Sequence, residues 1–254
     1  MNRPRVIPTL LIHNGDLVKT KEFKKPVYLG DPINAIRIFN EKNVDELCIL
    51  DINASKNNME PEYGLLEKMA SEAFMPLSYG GGIQNCDQIK RLFRIGYEKV
   101  VINTAAEYDI GLISDASKYF GSQSIVCAID YRKSFSHYRC YICDGTKKIG
   151  VSPLEKAIAF EKSGAGELLL YSIDNDGMHK GYDLDMIREV ASSVTVPVIA
   201  CGGARDLSDI KSALDSGADA VAAGSMFVFF GKREAVLINY PEEREFIRYG
   251  IYRE

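Results

Sequence analysis

Asp130 closes the apolar run IVCAID, residues 125–130. A carboxylate delivered by the end of a buried strand can serve as a general acid or base. Two Gly-Gly pairs, Gly81-Gly82 and Gly202-Gly203, each follow a strand-like run. Without a Cβ, such turns let backbone N–H groups come close to an anion. The next strand-like run after each pair ends in small polar residues, Asn103-Thr104 and Gly224-Ser225. A single Gly pair is an ordinary tight turn. Two in register, each with its small polar partner, point to two phosphate sites and a ligand with a phosphate at each end. A third segment, SIDNDGMHKGYD at 172–183, adds Asp174, Asp176 and Gly177. Asp and Gly are common loop formers, but carboxylates beside phosphate turns favour a place near the ligand.

Cys140 and Cys143 form a lone CxxC, with His137 nearby. A zinc site wants four ligands, usually from two such pairs. The surrounding segment alternates like a hairpin strand, where residues i and i+3 face opposite ways. These cysteines therefore read as structural or incidental, and no metal or other cofactor is expected.

The elements that must position these residues alternate strand and helix. Strand-like runs are VIPTLLI, ELCILDI, PLSYG, KVVIN, SIVCAID, ELLLYSI, VPVIACG and AVAAG. Most are short and almost continuously apolar, as parallel strands covered on both faces should be. Amphipathic stretches such as CDQIKRLFRIG and LSDIKSALDSG lie between them, each ending in a Gly suited to a helix C-terminus. Eight strands with helical crossovers predict an α/β protein, a (β/α)8 TIM barrel.

The halves repeat. PLSYGGGIQNCDQIKRLFRIGYEKVVINTAA begins at Pro76, and PVIACGGARDLSDIKSALDSGADAVAAGSMF begins at Pro197, 121 positions on. The same offset relates Gly81 to Gly202, Gly96 to Gly217, Thr104 to Ser225 and Glu46 to Glu167. A doubly wound open sheet would explain the alternation but not this register. Two (β/α)4 half-barrels explain both. We expect one domain over residues 1–254, with half-barrels at about 1–121 and 122–241 and a C-terminal extension at 242–254.

At 254 residues the chain is long enough for such a barrel, and 46% hydrophobic with 26% charged residues fits a globular protein. A formal net charge of −4 gives no pull toward nucleic acid or an anionic membrane. No apolar run reaches the roughly 18 residues of a membrane span. The six cysteines are scattered and the first residues, MNRPRVIP, lack the apolar core of a leader. Reduced thiols and a cytoplasmic setting are expected.

GGGI, VINTAA, AIDYRK, SIDNDG with GYD, and CGGA, in this order, resemble the cyclase subunit of imidazole glycerol phosphate synthase, from about Arg5 to the loop after the eighth strand. The resemblance implies a half-barrel repeat that binds a bisphosphorylated ribonucleotide and takes ammonia from a class I glutaminase partner. It also implies ring closure and cleavage by two Asp residues. By position, Gly82, Asn103 and Thr104 would meet one phosphate, and Gly177, Gly203, Gly224 and Ser225 the other. Asp130 matches one catalytic carboxylate, and Lys19 a lysine near the substrate. The other carboxylate falls at Leu11, and the ungapped match of Arg5, Gly15, Val18 and Lys19 leaves no room to slide an acid there. Leucine cannot exchange a proton. Tyr171 is also bulkier than the small polar residue usual at its strand end.

Arg5, Glu46, Lys99 and Glu167 begin the first, second, fourth and sixth strand-like runs, at the end opposite the turns. Two positive and two negative charges could close into a neutral ring. The resemblance implies that they gate an ammonia channel at the glutaminase-docking face, with Glu98 a docking position. A complete gate beside a missing acid suggests a branch of the family that supplies ammonia, with a glutaminase and a third, sugar-amidating synthetase, to make an acetamidino sugar of the bacterial surface. GDPINA, PVIACGGA and VLINYP resemble that branch. Two alternatives stand beside it: the histidine-pathway cyclase itself, and a catalytically silent activator of the glutaminase. The phosphoribosyl isomerase of the same pathway needs neither gate nor partner.

Overall fold

A computed structural model describes residues 3–135, 137–231 and 233–253. Eight strands form the barrel: β1 (Arg5–His13), β2 (Leu47–Asp51), β3 (Leu77–Gly80), β4 (Lys99–Ile102), β5 (Ile125–Ser134), β6 (Glu167–Ser172), β7 (Val198–Cys201) and β8 (Ala220–Ala223). Each pairs in parallel with its neighbours in sequence, and β8 pairs with β1, so the sheet closes on itself. This is a (β/α)8 barrel. Alternate residues face inward, and Ile7, Cys48, Val101, Val126, Leu169, Ile199 and Ala222 pack into an inner cluster. Their outward neighbours, such as Val6, Leu10, Ile49, Ile102 and Val221, pack under the helices in a second, larger cluster. That is why the strands read as unbroken hydrocarbon.

Polar caps start the helices. Asn85 accepts from the Gln88 N–H ahead of the helix Cys86–Ile95, and Asp206 accepts from the N–H groups of Ser208 and Asp209 ahead of Leu207–Asp215. These two caps stand 121 positions apart, as do the starts of β3 and β7 and of β4 and β8. A side-chain acceptor at this place satisfies one of the otherwise unpaired N–H groups. The C-terminal segment packs into the barrel wall. Its helix, Glu243–Arg248, buries Phe246. Tyr240 Oη donates to Val6 O at 2.9 Å, and Tyr252 Oη to Asp45 Oδ2 at 2.6 Å.

After β1 the chain turns at once into a hairpin. His13 pairs with Asp16 across Asn14-Gly15, both with positive φ. An Asn-Gly pair suits the two-residue turn that follows strand twist. The chain returns as Asp16–Lys21, then Lys24–Gly30, over the C-terminal mouth. The second half repeats the device, with β5 pairing antiparallel to His137–Ile142. Lys19 therefore lies on a strand, and so does Cys140, while Cys143 sits in the turn beyond with φ of 53°.

Candidate active site and barrel gate

Two chambers lie at the mouth, one at the glycine turn of each half. Gly81, Gly82, Asn103, Thr104, Leu11 and Asp130 line a first chamber of about 90 Å³. Gly177, Gly202, Gly203, Gly224 and Ser225 line a second of about 10 Å³, room for roughly one water molecule. The turn glycines are required by space as well as by φ. A methyl on Gly82 would strike Met59 O, and one on Gly203 would strike Gly181 O. Gly82 N–H donates to Ser55 Oγ at 3.2 Å. Each small polar pair, Asn103-Thr104 and Gly224-Ser225, leads into a short helix, Thr104–Tyr108 and Ser225–Val228.

Asp130 is buried in the first chamber, and Asn103 Nδ2 donates to its Oδ2 at 2.7 Å. Burial pushes its carboxyl up to about 7, a rise moderated by the Lys156 ammonium and the Asn103 hydrogen bond. Leu11 lines the same chamber as hydrocarbon. Two further carboxylates stand there that sequence reasoning missed, Asp51 and Asp144. Asp51 Oδ1 accepts from the N–H groups of Asn53 and Ala54, so it shapes its own turn. Asp144 lies in the hairpin turn with φ of 55°. Burial first, and then the nearby Asp130 charge, pushes it up to about 8. It has no hydrogen-bond or ion-pair partner among the described residues. Its only trace in the sequence was a Cys-Asp-Gly turn in the segment already weighed for metal.

Lys19 crosses from the hairpin into the barrel. Its Nζ donates to Thr9 O at 2.9 Å, and a methyl on Gly224 would collide with it. Burial lowers its pKa, and the Asp176 charge opposes that shift. Asp176 was expected among the catalytic groups. In the structure both of its oxygens are committed: Oδ1 accepts from Tyr171 Oη at 2.9 Å, and Oδ2 from Thr20 Oγ1 at 2.7 Å and Phe23 N at 3.3 Å. Asp174 likewise accepts from Arg132 Nη1 and Lys133 N. These two acids tie the loop after β6 to the hairpin and to β5. Cys143 N donates to Thr104 Oγ1 at 3.0 Å, so the CxxC turn folds over the first chamber. Among the described residues no group of three or more His, Cys, Asp or Glu is placed to hold a metal ion.

At the opposite end, four charges close a ring. Arg5 bonds Glu46 at 2.6 Å and Glu167 at 2.9 Å, while Lys99 bonds Glu46 at 3.0 Å and Glu167 at 3.1 Å. Glu46 is buried, with only 5% of its side chain exposed. Above the ring lies a cavity of about 10 Å³ lined by Glu46, Ile7, Cys48, Ser78, Ile199 and Ala222, among others. It shares Val101 and Leu169 with the first chamber. Glu98 is exposed beside Lys99 on the same end. Removing one member of such a ring leaves a partner charge buried and unpaired. Glu46→Ala should therefore cost about 3 kcal/mol, which a thermal melt would read as a drop of roughly 6–12 °C.

The family described as histidine biosynthesis protein matches residues 5–233. The chain belongs to this family. It is 52% identical over 244 residues to a candidate imidazole glycerol phosphate synthase subunit, hisF2, of Pseudomonas aeruginosa, covering 95% of this chain and 97% of the relative. It is 49% identical over 257 residues to a candidate HisF subunit of Leptospira interrogans, covering 98% and 100%. The imidazole glycerol phosphate synthase subunit HisF of Streptomyces avermitilis is 41% identical over 226 residues, covering 89% and 90%. The likeness thus spans the charged ring, the barrel and the mouth together. No helix among the described residues is long and apolar enough to cross a membrane.

Proposed function

We propose that this chain is the ammonia-accepting, cyclase-like subunit of a glutamine amidotransferase complex, with a class I glutaminase docked on the face that carries Glu98 and the charged ring. The ring is the observation that carries this reading. Four paired charges close the narrow end of the barrel, and directly above them lies a cavity that fits one small molecule and borders the first chamber. A surface ring alone would be worth little to stability; one set beneath an internal cavity makes sense as an inlet. The nitrogen acceptor is phosphorylated, with Gly81, Gly82, Asn103 and Thr104 around the first phosphate site and Gly177, Gly202, Gly203, Gly224 and Ser225 around the second.

Hydrocarbon at Leu11 beside the buried Asp130 favours a reaction other than the two-carboxylate ring closure. We assign the chain to amidation of a surface sugar, with a third, synthetase partner. The histidine-pathway cyclase is the second reading, and the observation in its favour is that Asp130 shares its chamber with Asp51 and Asp144. Co-purification with a class I glutaminase, followed by an ammonium-driven assay for imidazole glycerol phosphate, separates them. We expect a stable complex and little or no imidazole product. Robust turnover of the histidine-pathway substrate would establish the second reading, and failure to bind any class I glutaminase would defeat both.

A further inference from the structure

The two chambers share a single lining residue, Tyr171. It is the penultimate residue of β6, between the two sites, in register with Asp130 on β5 and with Cys201 on β7, the residue before Gly202. Its side chain points inward with the core cluster of the barrel and is only 4% exposed. Two contacts hold it there, and the first is braced by the hairpin. Its hydroxyl donates to Asp176 Oδ1, the other Asp176 oxygen is held by Thr20 and Phe23 of the hairpin, and the Phe23 ring stands edge-on to Tyr171 at 4.7 Å between centroids. Glu22 N–H bonds Asp176 O at 2.9 Å, so the hairpin clamps the same acid through its backbone as well. A ring fixed at both its polar tip and its face is a preorganised obstacle rather than a loose side chain.

We propose that Tyr171 is a wall that makes the mouth two separate sites, so that the ligand of the first chamber carries a single phosphate group and does not reach the second turn. A ligand running from Gly82 and Thr104 to Gly203 and Ser225 would have to cross at the Tyr171 ring, the lining residue common to both chambers. The chamber sizes agree with this division, because the second chamber as it stands holds about one water molecule. The first chamber also has the inner cavity beneath it, through Val101 and Leu169. Ammonia rising from the ring would then meet a singly phosphorylated acceptor next to Asp130. The inference rests on the reading of the Gly-Gly turns as phosphate sites, and it replaces the spanning, doubly phosphorylated ligand expected from the sequence.

The test uses the full-length chain, wild type and Tyr171→Ser, with two probes: inorganic phosphate and the bisphosphorylated ribonucleotide of the cyclase reaction. Calorimetry should show one phosphate per wild-type chain and no more than about threefold tighter binding of the bisphosphate, because only one end is seated. In Tyr171→Ser the bisphosphate should bind about 30-fold more tightly than in wild type, as the second phosphate gains charged hydrogen bonds. Inorganic phosphate should still occupy the first turn in the variant. A wild-type chain that prefers the bisphosphate by about 100-fold, or a variant that leaves the preference unmoved, overturns the wall. Absence of phosphate at both turns instead defeats the phosphate reading beneath it. If Tyr171→Ser melts far below wild type, Tyr171→Leu keeps apolar bulk in the core while removing the ring tip, and the same ratio decides.

Discussion

Ala222→Val should uncouple ammonia delivery from glutamine hydrolysis. Ala222 stands on β8 opposite Ile7 and lines the small cavity between the charged ring and the mouth. That cavity holds about one water-sized molecule, and ammonia is of that size. Two added methyl groups would occupy it. Overpacking of a close-packed core costs about 1–3 kcal/mol, and the same overlap faces any molecule squeezing past. At about 1.4 kcal/mol per tenfold, passage should slow by roughly 10- to 100-fold. The complex with its glutaminase should still hydrolyse glutamine, and the amidated product should still form from added ammonium. Nitrogen-15 in the glutamine amide distinguishes the routes: with unlabelled ammonium in the buffer, wild-type product carries the label and variant product loses it. Unchanged label transfer in a well-folded variant would show that nitrogen does not travel through the barrel. That outcome would favour a chain that only activates its glutaminase.

The barrel itself was legible because its strands bury both faces and its halves keep one offset. Leu77 and Val198, or Asn85 and Asp206, do the same work 121 positions apart. The two hairpins over the mouth were harder to read. In Asp16–Lys21 the buried residues Leu17, Val18 and Lys19 mix hydrocarbon with charge, so no clean alternation marks a strand. The glycine turns and the four ring charges were found from type and spacing, aided by the family resemblance. What the sequence hid was the partnership of side chains across elements. Asp176 looked like a free acid in a loop, yet Tyr171, Thr20 and Phe23 consume its oxygens. Asp144 sits in a Cys-Asp-Gly turn, yet the hairpin carries it back into the chamber of Asp130. The Asp176 contacts with Thr20 and Phe23 join residues more than 150 positions apart, and the return of Asp144 depends on hairpin pairing, for which neither periodicity nor motif carries information.

Asp130→Asn should lose activity and gain stability at the same time, and the stability gain should depend on pH. If Asp130 is the group that exchanges protons with the acceptor, its loss should cost about 10²- to 10⁴-fold in ammonium-driven turnover. The stability side follows from its surroundings. Burial raises the carboxyl from 3.8 to about 7 in the folded chain. Between those values the native state holds a proton that the unfolded chain has released, so native stability falls as pH rises through the window. The loss is complete above about pH 7 and amounts to at most roughly 4 kcal/mol. An amide cannot ionise, and its Oδ1 can still accept from Asn103 Nδ2, so the variant escapes this penalty while keeping the contact. Asp144 adds to the effect in the same direction, because part of its rise to about 8 comes from the Asp130 charge that the variant removes. Thermal melts should therefore place Asp130→Asn roughly 5–10 °C above wild type at pH 8, with a much smaller gap at pH 5. A variant that melts below wild type at pH 8 would mean that the carboxylate is stabilised by its neighbours rather than strained by burial. A carboxylate strained by burial is held ready to take up a proton, whereas a stabilised one would be a structural anchor, and the sign of the shift at pH 8 distinguishes them.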